Sequence, residues 1–254
     1  MFRFCSLASG SSGNCLYIEN DDTKLLLDCG ISCKRTKESL NAVGVNIEDI
    51  DAVLITHEHS DHINGLDIIS KYYNIPVYTN KDTAEAISYK CSYISDLNVV
   101  DGDFSVNSMN IHSFRTPHDV PSCCYFFTYD NKKIAVATDL GHLTTETINA
   151  FDKCNFAYIE SNHDVEMLTQ GPYPYHLKRR ILSDYGHLSN KTCSEFIVSL
   201  VQKGTKNFML GHLSEENNTP ELALNTVKTA LDFFRLDAEI SVAPRSLPGK
   251  FINL

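Results

Sequence analysis

At 254 residues the chain is long enough for one large α/β domain or two small ones, with roughly three quarters of its unfolded surface available for burial. Its 43% hydrophobic and 21% charged residues exclude a largely disordered chain, and its net charge of −10 excludes a generally basic nucleic-acid-binding surface. A phosphate-bearing partner would therefore have to be met by local positive charge, chiefly bound metal. The nine cysteines are odd in number and contain no C-x-x-C pair, the apolar stretch at Met1–Leu7 is too short for a leader, and eighteen apolar residues never run together. These features predict reduced thiols, a cytoplasmic protein and no membrane span.

Short runs rich in β-branched or aromatic residues predict strands at Leu25–Leu27, Ala52–Ile55, Val77–Tyr78, Tyr125–Thr128, Ile134–Ala137, Ala157–Ile159, Phe208–Leu210 and Ile240–Val242. A turn is expected at Tyr129–Lys132. Helical spacing of Cys193, Phe196, Ile197, Leu200 and Val201 predicts a helix over Asn190–Gln202, stopped by Gly204. Another starts at Thr219 as N-cap with Pro220 in the first turn, and it aligns Leu224, Val227, Leu231 and Phe234. No linker, repeat or charge run divides the chain, so residues 1–254 read as one domain, and a sandwich of two sheets with helices outside would house these elements.

The run Ala52–Ile55 leads through Thr56 into His57-Glu58-His59-Ser60-Asp61-His62, four candidate ligands in six positions. On an extended segment His57 and His59 share a face, and the following turn can carry Asp61 and His62 to a second point nearby. That geometry suits two adjacent cations, and imidazole with carboxylate suits zinc or manganese, with iron possible. Asp28, Asp139, Glu160 and His212 each follow an apolar run, where a strand would deliver them to a common rim. Asp28 could instead simply cap the next helix or open a turn.

Two segments offer phosphate contacts. Ser9–Asn14 is rich in glycine and hydroxyls, so Ser11, Ser12 and Asn14 are candidates for cradling an anion, or the loop is a plain turn. Tyr173–Arg180 places aromatics before three cations, making Lys178 and Arg179 candidate backbone contacts, or a solvated helix face. His163 either reaches the metal edge, where it clamps a phosphate oxygen or supplements the coordination shell, or faces solvent. His112, His142 and His176 read as ordinary histidines.

Asp28, then His57-x-His59-x-Asp61-His62, His118 in Thr116-Pro117-His118-Asp119, Asp139 in Ala137-Thr138-Asp139-Leu140-Gly141, and His212 together resemble the five-motif pattern of the metallo-β-lactamase superfamily. The segments Ser9–Cys15, Glu160–Asp164, Gly186–Asn190 and Gly211–Asn217 look like its YycJ branch, also called WalJ or VicX, which is related to ribonuclease Z-type nucleases. The resemblance implies a four-layer αββα sandwich of two mixed sheets with a two-metal site at one edge. By position, His57, His59 and His118 would hold one cation, Asp61, His62 and His212 the other, and Asp139 would bridge them, with Asp28 orienting the ligands from behind. Asp61, Glu160 and His187 would be the catalytic groups, Glu160 orienting His187 as the acid that protonates the departing sugar oxygen. His187 could instead be a helix N-terminal residue bonded to a backbone carbonyl. The implied activity is a 5′ to 3′ DNA exonuclease in which a hydroxide shared by two cations attacks phosphorus, on single strands or duplex ends. The alternatives are hydrolysis of a small ester, thioester or lactam, or a metal-dependent regulatory role linked to cell-wall signalling.

Overall fold

In the computed structural model, which describes all residues Met1–Leu254, the chain builds the same arrangement twice. One seven-stranded sheet contains β1 (Arg3–Ala8), β2 (Cys15–Glu19), β3 (Lys24–Leu27), β4 (Ala52–Leu54), β5 (Val77–Thr79) and β6 (Leu97–Val99) in that order, with the C-terminal β14 (Ile252–Asn253) beyond β1. The other runs from β7 (Gly102–Val106) through β8 (Met109–Thr116), β9 (Ser122–Tyr129), β10 (Lys132–Ala137), β11 (Phe156–Glu160) and β12 (Asn207–Gly211) to β13 (Glu239–Val242). Both sheets are mixed. Each opens with antiparallel strands and continues with parallel ones, from β3 onward in the first and β10 onward in the second.

Alternation along the strands sorts side chains into layers. Leu25 and Leu27 of β3 face inward with Leu54, Ile111, Phe127, Ile134 and Tyr158, forming the layer between the sheets. Leu26 faces outward with Val53 and Val77, where Leu40, Leu66, Ile69 and Ile87 cover them. Those residues belong to α1 (Cys33–Ala42), α3 (Leu66–Tyr73) and α4 (Lys81–Lys90), with the short α2 (Ser60–Ile63) preceding α3. On the second sheet Ala135, Ala157, Ile159, Phe208 and Leu210 are covered by α5 (Thr145–Ala150), α8 (Asn190–Gln202) and α9 (Pro220–Phe233). The remaining α6 (Val165–Gln170) and α7 (Tyr175–Ile181) lie between β11 and α8 in the chain. The four-layer αββα sandwich expected from the sequence is therefore the fold.

The predicted strands all lie in these sheets, and both predicted helices form where their caps place them. Ser189 Oγ accepts from the Thr192 N–H (3.1 Å) at the start of α8, and Thr219 Oγ1 from the Leu222 N–H (3.1 Å) at the start of α9. At Tyr129–Lys132, Tyr129 pairs with Lys132 and the two residues between, Asp130 and Asn131, take left-handed φ values of 47° and 59°, as a two-residue hairpin requires. The shorter helices α1 to α7 and the strands β1, β2, β6, β7, β8 and β14 are not among the predicted elements and emerge only in the fold.

Candidate metal centre

The strand ends predicted to share a rim, those of β3, β4, β10, β11 and β12, finish at one edge of the sandwich, and β8, not among the predicted strands, ends there too and delivers His118. Three of the delivered residues, Asp28 (φ 62°), Asp139 (φ 58°) and His212 (φ 54°), sit in the left-handed backbone region. Aspartate and histidine enter that region more readily than most residues, yet such positions still cost about 1–3 kcal/mol and persist where the surroundings enforce them. Here the enforcement is visible. The His212 N–H donates to Ser9 Oγ (2.8 Å), which also meets Tyr158 Oη (2.7 Å), and the Asp28 N–H donates to the Leu54 carbonyl (2.8 Å).

Two groups of side chains result. His57, His59 and His118 present one nitrogen each within 4.8 Å of one another, with His59 Nδ1 3.0 Å from His57 Nε2 and 3.4 Å from His118 Nε2. Asp61, His62 and His212 form the second, Asp61 Oδ2 lying 3.6 Å from both His62 Nε2 and His212 Nε2. Asp139 stands between them. Its Oδ1 is 3.8 Å from His118 Nε2, and its Oδ2 is 3.3 Å from His62 Nε2 and 3.3 Å from His212 Nδ1.

The His57–His62 segment is held from behind by close backbone contact. The Asn14 N–H donates to the Asp61 carbonyl (2.8 Å), the Cys29 N–H to the His62 carbonyl (2.7 Å) and the Gly30 N–H to the Asn14 carbonyl (2.8 Å). A Cβ on Gly30 would fall 1.6 Å from the Asp61 carbonyl oxygen, so only glycine permits this approach. Asp28 Oδ1 accepts from the Thr56 N–H (2.9 Å) while its Oδ2 lies 2.7 Å from His62 Nδ1. The Thr56 hydroxyl, 3.0 Å from His57 Nδ1, joins Asp28 to the first group as well. On the outer side Asp119 Oδ1 is 3.5 Å from His59 Nε2 and 3.2 Å from His118 Nε2. Thr56 and Asp119 were not singled out from the sequence, although each adjoins a candidate ligand.

Asp28 thus faces an imidazole rather than a helix end. Substituting Asp28→Asn is expected to weaken metal affinity by about 10- to 100-fold, the usual loss when a ligand's outer partner is changed. Competition against a chelator measures it, and an unaltered affinity would reduce Asp28 to a turn residue.

The electrostatics of these groups fit a cation. Burial opposes charge on Asp139, but His212 and His62 outweigh it and hold the carboxyl well below the usual carboxylate range. Burial likewise opposes charge on His62, yet Asp28 and Asp139 push it up to about 10. His57 and His118 go the other way, kept neutral by burial. Asp139 Oδ2 and His212 Nδ1 are buried without a hydrogen-bond partner. Buried carboxylates need compensation, and in the free protein protons on His62 and His212 supply it. Five imidazoles and two carboxylates with unpartnered buried atoms make a donor set suited to borderline divalent ions such as zinc or manganese, whose binding would release those protons.

Glu160 is fully buried and saturated with partners: Oε1 accepts from His187 Nδ1 (2.7 Å) and approaches His212 Nδ1 (3.1 Å), while Oε2 accepts the N–H groups of Leu140 (2.9 Å) and Leu188 (3.1 Å). Burial resists its ionisation, but His187 dominates and brings its pKa to about 2. His187, 19% exposed, is held through Nδ1 by a carboxylate and not by a backbone carbonyl.

Several candidate contacts are displaced from their expected places. Asn14 is buried, with Oδ1 accepting from the Gly10 N–H (2.9 Å) and Nδ2 3.1 Å from His62 Nε2, so it faces the ligands and not an incoming phosphate. His163 is 1% exposed, so it neither faces solvent nor is open to substrate, it belongs to none of the ligand groups, and burial pushes its pKa down to about 4. Lys178 spends its ammonium on the Thr169 and Gly171 carbonyls (2.8 and 2.7 Å), tying α6 to α7. Arg179 lies over the Tyr175 ring, 5.9 Å from its centroid, and reaches no ligand residue. Ser11 and Ser12 remain exposed on the loop that abuts Asp61. His112 pairs with Asp103 (2.7 Å) and His142 with the Asp184 carbonyl (2.9 Å), while His176 is exposed; none belongs to the ligand groups.

This edge, with its histidine and carboxylate groups on an αββα sandwich, defines a metal-dependent hydrolase. The chain belongs to the metallo-beta-lactamase superfamily, whose family model matches residues 8–212. Over 238 residues it is 39% identical to exodeoxyribonuclease YycJ of Bacillus anthracis, covering 91% of this chain and 89% of that protein. Its identity to exodeoxyribonuclease WalJ of Streptococcus pneumoniae is 38% over 238 residues, covering 91% and 88%. Among solved structures, the metallo-beta-lactamase fold protein YhfI from Bacillus subtilis superposes with a TM-score of 0.75 at 16% identity, covering 98% of this chain and all of that one, a likeness of fold alone. No helix is long and apolar enough to cross a membrane.

Proposed function

We propose that this protein is a dinuclear-metal exonuclease that degrades DNA from the 5′ end, acting as one folding unit over residues 1–254 in the cytoplasm. The observation that carries the phosphodiester reading is the Glu160–His187 pair at 2.7 Å, set beside the ligand groups. A small ester or lactam has less need of so firmly held an acid, whereas a departing sugar alkoxide requires a proton. The names of the YycJ and WalJ relatives support DNA as the substrate, and nine unpaired cysteines, eight of them buried, agree with a reducing compartment.

In this reading His57, His59 and His118 hold one divalent cation and Asp61, His62 and His212 the other, with Asp139 between. When bound, such a pair supplies an activated water near neutral pH and positive charge against the phosphate. Asp28 and Thr56 fix the imidazoles from behind. Asp61, 22% exposed, meets solvent and orients the attacking water through a carboxylate oxygen. His187, its Nδ1 engaged by Glu160, turns its other nitrogen to the departing sugar oxygen. Ser11 and Ser12 border the entering strand.

Single- and double-stranded DNA labelled at either end, with RNA as a parallel substrate and zinc compared with manganese, provides the direct assay. Loss should begin at the 5′ terminus of DNA and yield short products from that end. Uniform internal cutting, or no action on nucleic acid, would remove the assignment.

A further inference from the structure

The three consecutive cations of α7 have separate fates. Lys178 is consumed by backbone carbonyls and Arg179 lies over Tyr175, but Arg180 extends to the metal centre, where its Nη2 pairs with Asp119 Oδ2. The other oxygen of the same carboxylate lies 3.2 Å from His118 Nε2 and 3.5 Å from His59 Nε2. The guanidinium is therefore one carboxylate away from the first ligand group. Its side chain is 52% exposed and Asp119 is its one ion-pair partner, which a guanidinium with five N–H donors does not exhaust.

We propose that Arg180 receives a backbone phosphate of the substrate at the His59 and His118 side of the centre, an inference that rests on the DNA-phosphodiester reading above. On a chain of net charge −10, with Asp61 and Asp119 at this rim, a fixed cation beside the proposed metal pair favours the approach of a polyanion. Arginine suits the position because its planar fork offers two parallel donors to phosphate oxygens, which lysine cannot reproduce. Asp119 holds the fork in place before substrate arrives. The α7 turn thereby has a function. The Ile181 carbonyl accepts the His187 N–H (3.0 Å), so the same short element positions both Arg180 and the imidazole proposed to protonate the leaving group.

The test uses the full-length, metal-loaded protein, a single-stranded oligonucleotide, and KM measured across roughly 50–200 mM salt for wild type, Arg180→Ala and Arg180→Lys. Arg180→Ala is expected to raise KM by about tenfold or more, with a smaller change in kcat, and to flatten the dependence of log KM on log salt by about 0.7, the share of one phosphate contact on a single strand. Arg180→Lys should restore the salt slope while recovering only part of KM. Metal content should equal wild type in both. A wild-type KM and slope in Arg180→Ala overturns the proposal. So does a loss of activity that tracks lowered metal content at an unchanged slope, which would make Arg180 a brace for Asp119 alone. If wild type degrades oligonucleotides and only these variant results fail, the nuclease reading stands without Arg180; if wild type degrades none, both fall together.

Discussion

Replacing Asp139 by alanine is expected, on the two-cation reading proposed above, to leave one bound metal or fewer per chain and to lower turnover by about 10³-fold or more. Its two oxygens face different groups, Oδ1 toward His118 at 3.8 Å and Oδ2 toward His62 and His212 at 3.3 Å each. No neighbouring carboxylate spans both. The substitution also strips a compensating charge from His62 and His212, which are fully buried or nearly so and whose charged forms Asp139 supports. Loss of several kcal/mol of charge stabilisation corresponds to such a factor, since each 1.4 kcal/mol is worth about tenfold in rate. Elemental analysis alongside single-turnover cleavage reads both quantities. Two cations retained with near-normal turnover would refute a bridging Asp139. Asp139→Asn, which keeps the shape and removes the charge, separates electrostatic loss from a failed strand-end turn.

The His187→Ala change should separate chemistry from metal binding: metal content preserved, turnover reduced by about 10²-fold or more, the usual range for a lost general acid. The pH dependence follows from its setting. Burial disfavours the imidazolium, but the Glu160 carboxylate outweighs burial and holds the pKa above the ordinary histidine value. An acid with a raised pKa keeps its proton above the usual range and loses it as pH climbs through the raised value. The rate should therefore fall on the alkaline side in wild type, and that limb should vanish in His187→Ala. In Glu160→Gln it should move to lower pH, because the supporting charge is gone. A profile unchanged in all three proteins, with turnover intact, would leave His187 as packing at the head of α8.

Much of the scaffold is legible in the sequence because it depends on local pattern. Runs such as Leu25–Leu27 and Phe208–Leu210 are buried on both faces of central strands and so read as uninterrupted apolar stretches. Helix α8 is legible through its apolar spacing and the Gly204 stop, and α9 announces its start through Thr219 and Pro220, whose capping needs only neighbouring residues. Helix α7 lacks a side-chain cap bond and a buried stripe, so its placement follows from tertiary contacts.

By itself, the sequence determined the chain order of the candidate ligands and the residue type at each: Asp28, His57 to His62, Asp139 and His212 after apolar runs, and His118 from the motif Thr116-Pro117-His118-Asp119. Such a series is a one-dimensional property, set by where apolar runs end and by short motifs. Which atoms face one another was decided only by the tertiary structure. The left-handed turns at Asp28, Asp139 and His212, the Gly30 approach to Asp61, and the burial of Asn14 and His163 all depend on segments far apart in the chain coming into contact. The same holds for the three neighbouring cations of α7. Composition cannot distinguish Lys178, Arg179 and Arg180, because successive helical positions point about 100° apart and meet different surroundings. Only packing assigns one to carbonyls, one to an aromatic ring and one to the rim of the metal centre.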